Sequence, residues 1–167
     1  IIRRLFDKAP RRVLAIVAHQ DLHEKGVGLS KVIKDYMTLF SIEERRLFTM
    51  MTPSLDCPFP FDLETLAFYY HHSKVFLHVA KKERHPRVSA YAWASGMPVV
   101  SPISVGSLLP EELKTPPGFW PYQSIDEAAD FLIQACNQPM SSELKKRYES
   151  LFLETQTLGM MREKIKA

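Results

Sequence analysis

The chain has 167 residues, 46% of them hydrophobic, which is enough apolar material for the core of one compact domain and argues against disorder. No apolar run approaches the roughly 20 residues that a membrane-spanning helix needs, and no charged-then-apolar segment resembles a secretory signal. The formal charge of +3 comes from 22 basic and 19 acidic residues, too small an excess to predict a nucleic-acid partner.

We expect a single Rossmann-like domain over residues 1–167, with a tether at 1–12, a core at 13–140 and a C-terminal helical region at 141–167. Because the chain begins at Ile1 with a basic segment typical of a tether, we expect it to be part of a larger protein. The sparse cysteines, Cys57 and Cys136, favour reduced thiols. We therefore expect a cytoplasmic location, with peripheral attachment to a membrane as an alternative.

The first half of the chain alternates between strand and helix patterns. In chain order it predicts a strand at 13–18, a helix at about 27–40, a strand at 47–51, a helix at 63–73 with Asp62 as its N-cap, and a third strand at 75–80.

The second half continues the alternation. In chain order it predicts a helix from Pro86 to about Ser95 with Gly96 as its C-cap, a short strand at 99–101, one helical turn at 110–113 and a candidate edge strand at 120–122. A helix at 125–137 capped by Ser124 follows. The last element is a helical region from 142 to about 164, either continuous or broken near 157–159. Apolar strands that alternate with helices predict an α/β fold, a parallel sheet covered by helices on both faces.

The charged loop between the third predicted strand and its helix is the leading candidate for a ligand site. Open α/β sheets bind ligands at the carboxyl ends of their strands, where this loop would lie. The helix that starts near Pro86 offers a positive N-terminus, and Arg87 in its first turn suits a bound anion. The sequence therefore favours a ligand that bears phosphate.

Residues Glu83 to Val100 resemble the sugar-nucleotide-binding signature of retaining glycosyltransferases with the GT-B fold, the group that contains glycogen and sucrose synthases. In that family a Glu begins a glycine-containing loop, a second Glu follows after seven intervening residues, and a small-residue helix ends in Gly-X-Pro-Val. Glu83 matches the first Glu. The matches to the helix and its end are Ala92, Ala94, Gly96, Pro98 and Val99.

The chain departs from this signature in the loop and in the helix. Tyr91 replaces the second Glu, and a phenol can offer the ribose only one hydrogen bond. The loop glycines are replaced by Arg84, His85 and Pro86. Upstream, Lys25 matches a phosphate-binding Lys of the family, whereas the position of the family's Arg falls near His19 or Gln20.

The resemblance implies a fold, a function and a set of site residues. The fold is the C-terminal half of a GT-B glycosyltransferase, and the function is donor binding, with a nucleoside diphosphate sugar as substrate and no metal or other cofactor. Glu83 is the implied catalytic residue, and Lys25 would neutralise the diphosphate. The other implied substrate-binding residues are Gly26, His85, Pro86, Arg87, Val88 and Tyr91. The implied partner is a missing N-terminal domain of the same polypeptide, without which we expect no turnover.

Two alternatives stay open. A degenerate Rossmann-like scaffold or protein-interaction domain is favoured by Tyr91 and by the absent loop glycines. A nucleotide-binding domain of the flavodoxin type predicts the same strands and helices. A metal at His71 and His72 is disfavoured, because adjacent helical side chains diverge by about 100°. His78 alternates within a buried strand and is expected to be a core histidine.

Overall fold

In a computed structural model of the chain, the described residues are 13–16, 35–51, 63–79, 87–105 and 109–166. Five strands within them form one sheet in which every neighbouring pair is parallel. The strands are β1 (Val13–Ile16), β2 (Phe48–Met51), β3 (Val75–His78), β4 (Val99–Pro102) and β5 (Phe119–Tyr122). Their order across the sheet is β2-β1-β3-β4-β5, so the predicted parallel sheet is confirmed and β5 is an edge strand.

The described helices lie between or after these strands. They are α1 (Ile42–Arg45), α2 (Leu63–His72), α3 (Arg87–Ala94), a 3₁₀ turn (Glu111–Leu113), α4 (Ile125–Asn137) and α5 (Ser142–Lys166). Residues 35–37 are also helical and belong to the helix predicted at about 27–40, of which residues 27–34 lie outside the described part. Helix α5 is continuous through residues 157–159, so a break there is wrong. One internal glycine costs a helix only about 1 kcal/mol.

Helix α1 is the one described helix that the apolar patterns do not predict. At four residues it is too short to show helical periodicity, but it carries a capping box. The Ser41 hydroxyl accepts a hydrogen bond from the Glu44 amide, and the Glu44 carboxylate accepts one from the Ser41 amide, both at 3.2 Å. The Ser-x-x-Glu spacing at 41–44 was therefore a signal in the sequence for this turn.

Side chains of the strands alternate between two hydrophobic clusters, one on each face of the sheet. The face covered by α4 carries Leu77, Val100 and Trp120. The face covered by α2, α3 and α5 carries Phe76, Val99 and Phe119. Helices therefore cover both faces, which confirms the Rossmann-like α/β class.

Helix α3 ends at a glycine, as the sequence predicts. Gly96 adopts a φ of 77°, a left-handed conformation that favours glycine. Two hydrogen bonds of 2.9 Å close the helix, one from the Gly96 amide to the Trp93 carbonyl and one from the Met97 amide to the Ala92 carbonyl. The chain can then turn directly into β4.

Tyr148 of α5 packs against α3. The Tyr148 side chain is 1% exposed, and its ring stacks on the Trp93 ring with centroids 4.7 Å apart. The Tyr148 hydroxyl donates a hydrogen bond to the Leu113 carbonyl. On its other side, the Trp93 indole donates to the Gly118 carbonyl at 3.0 Å. These contacts join α5, α3 and the start of β5.

Candidate functional site

The strand order places the topological switch point between β1 and β3. The chain leaves β1 for β2 on one side of the sheet, whereas β3, β4 and β5 follow on the other side. Ligands of doubly wound sheets bind outside the carboxyl ends of the strands at such a point, and the observed order is the flavodoxin-like one. Ile16 and His78 are paired at the carboxyl ends of β1 and β3. This edge is the candidate site.

Two buried tyrosine hydroxyls fix the carboxyl end of β3. The Tyr122 hydroxyl donates to the His78 carbonyl at 2.9 Å. Because that bond uses the only proton of the hydroxyl, the Tyr36 hydroxyl donates to the Tyr122 oxygen, also at 2.9 Å. Burial raises the pKa of both tyrosines, so both remain protonated at neutral pH. The end of β3 is therefore tied to β5 and to the helical residues 35–37.

On the face covered by α3, two polar side chains lie side by side at the ends of β3 and β4. The register pairs Leu77 with Val100, so the next residues, His78 and Ser101, are neighbours. His78 is 1% exposed, as expected of a core histidine, and Ser101 is fully buried. Polar groups are rarely buried at such positions without a hydrogen-bonding role.

Ser89 of α3 adds a third buried polar group on this face of the sheet. It lies in the first turn of α3 on the inner face of that helix and is fully buried. A helix that follows a parallel strand runs back against it, so the first turn of α3 lies near the strands' carboxyl ends. Among the described residues, the hydroxyls of Ser89 and Ser101 have no hydrogen-bond partner.

The N-terminus of α3 differs from the other described helices in charge. Its first turn contains no acidic residue and begins with the exposed Arg87. The other four described α-helices carry acidic residues in their first turn, namely Glu43 and Glu44 in α1, Glu64 in α2, Asp126 and Glu127 in α4, and Glu143 in α5. The partial positive charge of about +0.5 at a helix N-terminus is therefore uncompensated by any described side chain of α3.

The predicted site residues fall into two groups. Five of them lie outside the described residues, namely Lys25, Gly26, Glu83, His85 and Pro86. The structure brings the other three together on the first two turns of α3, where Arg87 is exposed and Val88 and Tyr91 are half-buried.

Two of these three residues contact other aromatic side chains or hydroxyls. The Val88 carbonyl accepts a hydrogen bond of 2.8 Å from the Tyr70 hydroxyl. The Tyr91 ring lies between the rings of Tyr70 and Phe152, with centroid distances of 6.3 and 5.4 Å. Both contacts of Tyr91 are packing contacts between α2, α3 and α5.

Sequence reasoning missed the residues that organise this edge. Tyr36 and Tyr122 appear in the sequence as apolar positions of a helix and a strand, and nothing local indicates that their hydroxyls meet. Ser89 and Ser101 gave a weak signal, since each is a hydroxyl within an otherwise apolar stretch. Their burial depends on the packing of α3 against β4, which the sequence does not show.

The described histidines outside this edge form no ligand cluster. His71 and His72 are exposed on α2, and the His72 ring stacks on the Phe68 ring with centroids 4.1 Å apart. In the part of the chain that the structure describes, no group of three or more His, Cys, Asp or Glu residues could hold a metal ion. Within the same residues, no helix is both long and apolar enough to span a membrane.

Comparison with known proteins adds no family to this picture. No protein-family model matches the chain, and no curated protein matches it.

Proposed function

We propose that this domain binds the nucleoside diphosphate sugar of a glycosyltransferase, with the phosphates at the start of α3. The observation that carries the proposal is the positive end of α3 at the carboxyl edge of β3, where the first turn contains no acidic residue and begins with the exposed Arg87. The backbone amides of a helix N-terminus and a guanidinium together suit phosphate oxygens. Doubly wound sheets bind their ligands at this carboxyl edge.

The sugar-nucleotide part of the proposal is supported by the sequence resemblance. Glu83 stands at the first Glu of the family signature, and α3 is followed by Gly96-Met97-Pro98-Val99, which matches the Gly-X-Pro-Val of the signature. By that resemblance Lys25 neutralises the diphosphate and Glu83 contacts the transferred sugar.

The proposed chemistry needs negative charge to be stabilised on a leaving group. In sugar transfer the bond from the anomeric carbon to the diphosphate breaks, and a bond from that carbon to an acceptor oxygen forms. The acceptor hydroxyl gives its proton to a base of the second domain or to the departing diphosphate, and the nucleoside diphosphate leaves as an anion. Dipoles and cations oriented in advance at the diphosphate lower the barrier to this step. A second domain would bring the acceptor, so this domain alone should bind the donor without turning it over.

Calorimetric titration with UDP, GDP and ADP sugars tests the proposal. Arg87→Glu should weaken binding at least about tenfold, because a charge-assisted contact with phosphate is worth about 1.5–3 kcal/mol. Arg147→Glu is the matched control, since it makes the same charge change at an exposed position of α5 and should alter affinity less than about threefold. Equal losses in the two variants would contradict a site at α3.

A second candidate is a scaffold domain that has lost donor binding. The observation that favours it is Tyr91, whose ring packs between Tyr70 and Phe152 at the position of the family's ribose-binding Glu. This candidate predicts no binding of any sugar nucleotide, even with the rest of the parent protein present.

The flavodoxin type is a third candidate, favoured by the strand order β2-β1-β3-β4-β5. A titration with flavin mononucleotide distinguishes it, because a flavin phosphate would bind where the sugar nucleotides fail.

A further inference from the structure

We propose that Ser89 and Ser101 hold one buried water molecule between the first turn of α3 and the end of β4. Both side chains are fully buried, and neither hydroxyl has a hydrogen-bond partner among the described residues. The inference does not depend on the proposed function, because it concerns the packing of α3 on the sheet in the free protein.

The two hydroxyls lie at the same level of the fold. The centroids of the Trp93 and Phe119 rings are 6.0 Å apart, and Phe119 of β5 pairs with Val99 of β4. Ser89 precedes Trp93 by four residues on the same face of α3, about 6 Å along the helix. Ser101 follows Val99 by two residues on the same face of the sheet, about 6.6 Å along the strand. Because α3 runs against β4, both steps lead towards the carboxyl edge.

Water is the ligand that fits these groups. A buried hydroxyl without a hydrogen bond is unfavourable, and nearly all buried polar atoms in proteins have a partner. A water molecule can donate to one serine oxygen and accept from the other, and buried waters make about three hydrogen bonds in all. His78, beside Ser101 on β3, is a further polar side chain at this place.

Thermal unfolding of alanine variants distinguishes a hydrated pair of serines from a dry pair by the sign of the change in the unfolding midpoint. If a water joins the hydroxyls, Ser89→Ala and Ser101→Ala should each lower the unfolding midpoint by about 3 °C. The double variant should fall little further, because losing either serine already leaves the other without its water. If the pair is dry, each substitution removes an unsatisfied hydroxyl and should raise the midpoint, additively in the double variant.

Ser150→Ala is the matched control for Ser89→Ala. Ser150 is exposed on α5, and its hydroxyl makes only a long, exposed hydrogen bond of 3.5 Å to the Glu154 carboxylate. Its substitution therefore measures mainly the gain in helix propensity, and that gain is subtracted. Crystallography of the unaltered protein at high resolution provides a measurement that does not depend on the variants folding. A water oxygen within about 3.0 Å of both serine oxygens is expected. Density that shows no water, or a direct hydrogen bond between the serines, would overturn the inference.

Discussion

Replacing Gly118 with alanine tests how α5 is fixed to the sheet. A Cβ at residue 118 would lie 2.4 Å from Cε2 and 2.8 Å from the hydroxyl oxygen of Tyr148. Non-bonded carbon atoms prefer about 3.5–4.0 Å, so the ring would have to move by roughly 1 Å. The Tyr148 ring has little freedom to do so, since it stacks on Trp93 and its hydroxyl donates to the Leu113 carbonyl.

The expected loss of stability combines two costs. Forcing an extra methyl group into a well-packed core costs about 1–3 kcal/mol. Weakening the buried hydrogen bond of Tyr148 adds about 1 kcal/mol. Gly118→Ala should therefore lower the free energy of unfolding by about 2–4 kcal/mol and the unfolding midpoint by about 5–15 °C. Urea unfolding followed by circular dichroism measures the first quantity.

Two variants show whether the clash with the Tyr148 ring causes the loss of stability in Gly118→Ala. Gly96→Ala is a matched control, because its Cβ would approach only the flexible Lys145 side chain, at 3.2 Å, and its positive φ costs about 1 kcal/mol. In a Tyr148→Leu background the clash with the ring is gone, so Gly118→Ala should cost less than about 1 kcal/mol there. Equal costs of Gly118→Ala in the two backgrounds, or a variant as stable as the parent, would refute the reasoning.

Two further predictions concern pH and helix capping. Burial raises the pKa of Tyr36, Tyr70, Tyr122 and Tyr148 above the usual 10. Above pH 10 the unfolded chain therefore loses protons that the native chain keeps. Each tyrosine should lower the free energy of unfolding by about 1.4 kcal/mol per pH unit while the pH lies between its unfolded-state pKa and its native pKa. Urea titrations from pH 8 to 11 should show a flat profile followed by this fall, and Tyr122→Phe should make the fall less steep; a flat profile throughout would contradict the burial argument. Ser41→Ala should destabilise the protein by about 1 kcal/mol through loss of the α1 cap, and an unchanged urea midpoint would mean that the capping box contributes nothing.

The sequence predicted the local structure well where one segment contains the whole signal. The helix at 125–137 and its Ser124 cap appear in the structure as predicted, with the serine hydroxyl accepting from the Glu127 amide. Gly96 ends α3 as predicted. Helix α1 was missed although its capping box lies within four residues, because the prediction relied on apolar periodicity.

The sequence predicted the position of the candidate site in the fold but not the buried side chains that surround it. Alternation of strands and helices predicted it at the carboxyl edge of the third strand, and in the structure α3 begins with Arg87. The buried hydroxyls at that edge were not predicted, because a hydroxyl in an apolar stretch has no local mark of what it will meet.

Residue order along the chain determined the elements of this protein, since caps, turns and apolar periods act over a few neighbouring residues. Only the tertiary structure decided which elements meet: the strand order, the hydrogen bonds from Tyr36 through Tyr122 to His78, and the packing of Tyr148 against Trp93 and Gly118. These contacts join residues that are tens of positions apart. They depend on close packing and on hydrogen bonding of polar groups in an interior that several segments share, and no single segment encodes either.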